Sequence, residues 1–82
     1  MSDTNIELLI DVGLTIVDWR NQAGLSQEQL AEMADIHRTY LSEVEGGKRN
    51  PTLSIVNNIV LALGKSLLDL FTAIETRKNG KV

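Results

Sequence analysis

The sequence predicts an all-α fold of five short helices. Between glycine and proline breaks, apolar residues recur at the three- and four-residue spacing of amphipathic helices. No segment has the strict apolar–polar alternation that is typical of a half-buried strand. The chain has 82 residues, 43% of them hydrophobic, which is enough for one small core. We therefore expect a single domain over residues 1–82, with an ordered part at about residues 4–77.

The first two helices are predicted from capping boxes. Thr4 is the expected cap of the first helix, with Glu7 as its partner, and that helix should run to about Gln22. Ser26 begins the second capping box and opens a helix that ends near Ala34. The residues expected in or beside the core are Leu9, Gly13, Ile16, Val17, Trp19, Leu30, Ala31, Met33 and Ala34.

A three-residue break at 35–37 separates the second helix from a third, which is predicted from Arg38 to Glu45. Helices joined by so short a turn cross at a steep angle and need a small residue where they touch, a position that Ala31 fills. Ile36 is expected to plug the turn. Leu41 and Val44 should face inward, and the glycines at 46 and 47 should end the helix.

The last two helices follow from proline, glycine and serine signals. Pro51 is expected in the first turn of the fourth helix, because its fixed φ suits that position, and Gly64 should end the helix. Ser66 should cap the fifth helix, from Leu67 to about Arg77. The residues expected to face inward are Leu53, Val56, Ile59, Val60, Leu63, Leu67, Leu70, Phe71 and Ile74.

The composition argues against catalysis and against a bound cofactor. The chain has no cysteine and one histidine, so it has no disulfide framework, no set of zinc ligands and no recognisable nucleophile–base pair. It also lacks a glycine-rich phosphate loop. No apolar run approaches the roughly 20 residues that span a bilayer. We expect a cytoplasmic protein that is not an enzyme, with no cofactor, metal, small-molecule ligand or membrane partner.

The charge distribution differs between the two parts of the chain. The net charge is −3. Residues 1–35 contain seven acids and one base, giving −6, whereas residues 36–82 contain seven bases and four acids, giving +3. Because a partner responds to the local field, the second part could meet an anion although the whole chain is acidic.

The third helix carries polar side chains that its core does not need. Arg38, Thr39, Tyr40, Ser42 and Glu43 face outward in the predicted pattern. They lie at a helix N-terminus, the end with partial positive charge. A helix of this width fits the major groove of DNA, where its first residues reach the base edges.

Several motifs occur together in this region at matching spacing. They are L-S-Q-E-Q-L-A-E-M-A-D-I-H-R-T-Y-L-S-E-V-E, then G-K-R-N-P-T-L, then L-A-L-G-K-S-L-L-D-L-F. The pattern covers about residues 12–72 and resembles the helix-turn-helix of the Cro/repressor (XRE-type) family. The combination of H-R-T-Y-L-S with K-R-N-P further resembles the small controller proteins of restriction–modification systems. The resemblance implies a lambda-repressor-like domain with its helix-turn-helix at helices 2 and 3.

The resemblance also implies roles for individual residues. Arg38 and Thr39 would face base edges, Arg38 being suited to the O6/N7 pair of guanine, with Ser42 and Glu43 one turn further in. Glu43 would read a cytosine amine, orient Arg38 or exclude some sequences. The implied backbone contacts are Gln27, Tyr40, Lys48, Arg49 and Asn50, with a thymine methyl as the alternative contact of Tyr40. The implied structural ion pair is Arg20 with Glu45.

Three positions depart from the family pattern. Asp35 stands where a turn glycine is common, His37 is a poorer helix cap than Ser, Thr or Asp, and Gly46 replaces a polar or basic residue.

Apolar residues beyond those needed for one core predict a homodimer. Useful affinity for DNA needs two half-sites about 34 Å apart, and a symmetric pair also buries surface that a small chain cannot hide. The residues proposed for the dimer interface are Ile55, Leu61, Leu67, Leu68 and Ile74. The leading hypothesis is a dimeric transcription regulator that binds double-stranded DNA. An antitoxin-type repressor and a protein–protein interaction module with the same fold are the alternatives.

Overall fold

A computed structural model describes residues 3–80, with side chains from residue 5 onward. Within that range the backbone forms five α-helices and no strand, which confirms the all-α prediction. The helices are α1 (Asp3–Gln22), α2 (Gln27–Ala34), α3 (Arg38–Glu45), α4 (Leu53–Ala62) and α5 (Leu67–Asn79).

Serine caps begin two of the helices at the predicted places. Ser26 and Ser66 each close a full capping box at the starts of α2 and α5. The start of α4 differs from the prediction, because the Thr52 hydroxyl accepts a hydrogen bond from the Ile55 N–H and so makes Thr52 the cap. Pro51 therefore precedes the helix instead of lying in its first turn.

The start of α1 also differs from the prediction. The helix begins at Asp3, so Thr4 lies inside it and is not its N-cap. The Thr4 side chain lies outside the described side chains. The other end of α1 matches the prediction, since the helix stops at Gln22 and Gly24 follows in the left-handed conformation with φ 71°.

One apolar core draws residues from all five helices. Ile16, Leu30, Leu41, Ile59 and Leu70 are fully buried there, one from each helix. Around them α1 packs on α3 and α5, and α2 packs on α3 and α4. The remaining core residues are Val12, Ala31, Ala34, Val44, Val56, Val60 and Ile74.

Three residues predicted in or beside the core are exposed instead. Leu53 and Phe71 lie on an open apolar groove of about 270 Å³ between the beginning of α1 and helices α4 and α5. Met33 lies on the outer side of α2 and is also exposed. Helical periodicity places Leu53 and Phe71 on the inward sides of α4 and α5. No neighbouring helix in the described part of the chain covers these two side chains, so they stay exposed.

No single helix in the described part of the chain is both long and apolar enough to cross a membrane. Only α4 and α5 taken together reach the length and composition, and the pair is bent by 94°.

Candidate nucleic-acid interface

The turn between α2 and α3 is fixed by its own backbone. Asp35 adopts the left-handed conformation (φ 58°, ψ 47°), and its N–H donates to the carbonyls of Ala31 and Glu32. The Ile36 N–H also donates to the Ala31 carbonyl, at 3.0 Å, which completes the hydrogen-bond pattern of a helix C-cap that is usually built on glycine. Ile36 packs against the core, as predicted. The corner between the two helices is therefore held both by backbone hydrogen bonds and by packing on the core.

The outward face of α3 presents polar side chains to solvent. Arg38, Thr39 and Ser42 are exposed, while Leu41 and Val44 on the opposite face are buried. His37 is the N-cap residue of α3, but its side chain makes no capping hydrogen bond. The first turn of α3 therefore keeps backbone N–H groups without a side-chain cap, at the end of the helix where anions bind most favourably.

A buried ion pair joins the far end of α3 to α1. The Arg20 Nε donates to Glu45 Oε2 at 2.8 Å, and Arg20 Nη2 donates to Oε1 at 3.1 Å. The Glu45 side chain is only 3% exposed. Arg20 also donates through Nη1 to the Leu25 carbonyl at 2.9 Å, so it holds the α1–α2 connection as well. The ion pair predicted between Arg20 and Glu45 is confirmed.

Gln27 takes part in the same network. Its side-chain Nε2 donates to Glu45 Oε1 at 2.8 Å. The Gln27 side chain was predicted to contact a backbone phosphate, whereas here its amide nitrogen is committed to Glu45. What Gln27 still offers to a phosphate is its position in the first turn of α2, where backbone N–H groups have no partner within the helix.

The loop after α3 carries the remaining predicted contacts. Gly47 adopts the left-handed conformation with φ 72°, and the Lys48 N–H donates to the Glu43 carbonyl at 2.9 Å. A Cβ at residue 47 would lie 3.0 Å from the Ile10 side chain, so the turn packs closely on α1. Lys48, Arg49 and Asn50 follow as three consecutive exposed residues.

Arg49 folds back onto α3 and forms a cluster with Tyr40 and Glu43. Its Nη2 and Nε both donate to Glu43 Oε1, at 2.6 and 3.1 Å. Its guanidinium carbon lies 5.0 Å from the centre of the Tyr40 ring, within the range of a cation–π contact. The hydrogen bond to Glu43, with a further Coulomb attraction to that carboxylate, raises the pKa of Arg49 above its ordinary value.

The cluster bears on the three roles considered for Glu43. Its carboxylate is paired with Arg49 and not with Arg38, so orienting Arg38 is not the role that this arrangement supports. Reading a cytosine amine and excluding some sequences remain predictions.

The five residues proposed for a dimer interface differ in accessibility. Leu61 and Leu68 are 58% and 76% exposed, whereas Ile55 and Leu67 are half-buried against the core. Ile74 is only 3% exposed because it packs inside the subunit. Including Ile74 in the interface was therefore wrong, since a buried side chain has almost no surface left for a partner.

Known proteins share this arrangement of helices. A model of the helix-turn-helix family matches residues 16–70, which include α2, α3 and α4. The chain belongs to the XRE-type helix-turn-helix family. Control protein C.SmaI from Serratia marcescens is 48% identical over 54 residues, which make up 66% of this chain and 64% of that protein. The match thus spans less than two thirds of that relative's length.

Solved structures of restriction–modification controller proteins share this XRE-type fold. C.AhdI from Aeromonas hydrophila is 35% identical with a TM-score of 0.75, over 77% of this chain and 96% of that one. C.Esp1396I, solved as a tetramer in complex with its natural 35 base-pair operator, is 32% identical with a TM-score of 0.78, over 84% of this chain and 91% of that one.

Several side-chain contacts among the described residues were not predicted from the sequence, and two of them are ion pairs that join separate elements of this XRE-type domain. One is the Glu43–Arg49 pair, which depends on the path that Gly47 gives to the loop. The other joins α5 to α1, where Arg77 is paired with Asp18 and donates to the Thr15 hydroxyl at 3.1 Å. The residues of this second pair are 59 positions apart, and no local pattern signals it.

Proposed function

We propose that this chain is a sequence-specific, DNA-binding transcription regulator of the restriction–modification controller class, acting as a homodimer on a symmetric operator. The observation that carries the proposal is the exposed face of α3, where Arg38, Thr39 and Ser42 stand on a helix fixed by a buried ion pair. The similarity to controller proteins, one of them solved with its operator, supports the same function.

The proposed contacts fall into two groups. Arg38 and Thr39, with Ser42 one turn further in, enter the major groove and read base edges. The sugar–phosphate backbone is contacted by the first turn of α2 and by four side chains on and after α3, which fix the register of the protein on the duplex. These side chains are Tyr40, Lys48, Arg49 and Asn50. The protein itself contributes no catalytic step to this function, and regulation comes from occupancy of the operator as dimer concentration rises.

Selection from a pool of random duplex DNA, followed by sequencing, tests this proposal. A regulator of this kind enriches a two-fold symmetric consensus, with half-sites about one helical turn apart. An asymmetric or absent consensus, at a salt concentration where controls with known DNA-binding proteins succeed, would contradict it.

An antitoxin-type repressor is the second candidate, and one observation favours it. Helix α1 exposes four large apolar side chains in an acidic part of the chain, as a surface for a protein partner would: Ile6, Leu8, Ile10 and Leu14. Expression together with the neighbouring genes, followed by purification, distinguishes the two. A second small protein held in fixed stoichiometry would favour the antitoxin.

A further inference from the structure

A carboxylate on the proposed DNA-facing helix requires an explanation. Glu43 lies on the same short helix as Arg38 and Thr39, and its side chain is 39% exposed. A negative charge near phosphates is repelled by them, so Glu43 by itself weakens binding to any duplex. Its contact with Arg49 indicates the role of Glu43.

Arg49 uses only part of its hydrogen-bonding capacity on Glu43. A guanidinium has five N–H groups, and the two bonds to Glu43 come from Nε and Nη2. The Nη1 group takes no part in them. The Arg49 side chain is 50% exposed and lies over the Tyr40 ring. The carboxylate and the ring thus hold the guanidinium beside α3 while the side chain stays accessible to an incoming anion.

We propose that Glu43 acts as an internal counter-ion that competes with DNA phosphate for Arg49. The inference rests on the proposed DNA-binding function. In the free protein the Glu43 carboxylate occupies the place against the guanidinium that a phosphate oxygen would take, since both are anionic oxygen acceptors for Arg. On DNA, Arg49 exchanges Glu43 for the backbone. Glu43 thereby keeps Arg49 folded against α3 and lowers its contribution to affinity on every duplex.

The size of the effect follows from the exposure of the pair. Ion pairs with this much solvent contact stabilise only modestly, so a phosphate can displace Glu43. Replacing Glu43 by a neutral residue should therefore strengthen binding to DNA about 2- to 5-fold. The exchange also changes ion release. When Arg49 moves from Glu43 to a phosphate, the freed Glu43 carboxylate takes up a cation from solution. On binding DNA the natural chain therefore releases about one ion fewer, in net terms, than a variant in which Arg49 has no carboxylate partner.

A double-mutant cycle on a duplex of random sequence tests the proposal. The four proteins are the natural chain, Glu43→Gln, Arg49→Ala and the double variant, each titrated by fluorescence anisotropy over a series of salt concentrations. We expect Glu43→Gln to bind about 2- to 5-fold more tightly when Arg49 is present, with a salt slope steeper by about 0.9. In the Arg49→Ala background the gain should be smaller, because only the repulsion of Glu43 by phosphate is relieved, and the slope should not change.

Glu75→Gln is the matched control. Glu75 is an exposed acid on α5, so this variant makes the same charge change away from α3. Its effect on binding measures the influence of net charge alone. A readout without DNA is the Arg49 Nε–H resonance in NMR spectra, which should shift and exchange faster with solvent in Glu43→Gln and remain unchanged in Glu75→Gln.

Other outcomes would overturn the inference. Equal gains from Glu43→Gln in both backgrounds would make Glu43 a simple repulsive charge. Weaker binding of Glu43→Gln in the Arg49 background would mean that Glu43 orients Arg49 into a productive contact. Loss of preference at one base pair, when the selection from random DNA is repeated with Glu43→Gln, would make Glu43 a reader of cytosine. If the natural chain binds no duplex even at low salt, the proposed function fails. If it binds without coupling between the two residues, only this inference fails.

Discussion

Gly13 in α1 lies directly against the backbone of Glu45 at the end of α3, where a Cβ at residue 13 would fall 2.8 Å from the Glu45 carbonyl carbon. The same Glu45 is held through its side chain by Arg20, two turns further along α1. The helix that carries the proposed base contacts is thus fixed to α1 by a main-chain contact and by a buried ion pair.

Gly13→Ala should destabilise the protein although alanine favours helices more than glycine does. Helix propensity alone would add about 1 kcal/mol to the free energy of unfolding. The new methyl group would meet backbone atoms, which cannot move aside as a side chain can, so α1 and α3 must separate. We expect a net loss of about 1–3 kcal/mol in urea unfolding. Asn21→Ala, at an exposed position of α1, is the control and should change stability by less than about 0.5 kcal/mol. A Gly13→Ala protein as stable as the natural chain would contradict the contact.

Arg20→Ala should cost about 3–5 kcal/mol of unfolding free energy, because it leaves the buried Glu45 carboxylate without its cation. Replacing both partners, Arg20→Met with Glu45→Leu, should recover most of that loss, since no charge then remains buried. The urea midpoint at constant m-value measures both effects. Lys78→Ala is the comparison, because it breaks an exposed pair with Glu75 and should cost less than about 0.5 kcal/mol. A small loss in Arg20→Ala would mean that water reaches Glu45.

Sequence signals located the helix-turn-helix because those signals are local. The cap at Ser26 and the break at 35–37 gave the bounds of α2, and the glycines at 46 and 47 gave the end of α3. Each of these caps and breaks depends on backbone groups within a few residues of it, so the bounds of α2 and α3 can be found without knowing the rest of the fold. Leu41 and Val44 are apolar and face the core. The helical repeat then places Arg38 and Thr39 on the exposed side of α3.

What the sequence did not reveal depends on contacts between distant parts of the chain. The exposure of Leu53 and Phe71 depends on how far neighbouring helices extend over their end of the core, which periodicity does not contain. The pairing of Glu43 with Arg49 depends on a left-handed residue at 47 that turns the loop back over Tyr40. Local patterns predict the direction a side chain faces, whereas its partner depends on the packed fold.

Arg38→Ala should weaken binding to the selected operator by about 1–3 kcal/mol and relax the preference at one base pair of each half-site. Arg38→Lys is the matched control. It keeps the charge but loses the two-pronged contact with a guanine edge, so it should recover affinity for random duplex and not the lost preference. Repeating the selection with each variant measures the base preference, and titration of the operator and of a random duplex measures the affinity. Loss of affinity that is equal on operator and random DNA would assign Arg38 to the phosphate backbone.

Leu68→Glu should separate the proposed homodimer without unfolding the subunit. Leu68 is 76% exposed, so a charge there costs the free subunit little. In a symmetric interface the change occurs twice, and each buried leucine contributes about 1.5–3 kcal/mol. The dimer dissociation constant should therefore rise on the order of 100-fold or more, as measured by sedimentation equilibrium. Met33→Glu introduces the same side chain at an exposed apolar position outside the proposed interface, on α2, and should leave the dimer intact. A natural chain that sediments as a monomer at tens of micromolar would remove the dimer proposal, and a dimer unaffected by Leu68→Glu would move its interface away from α5.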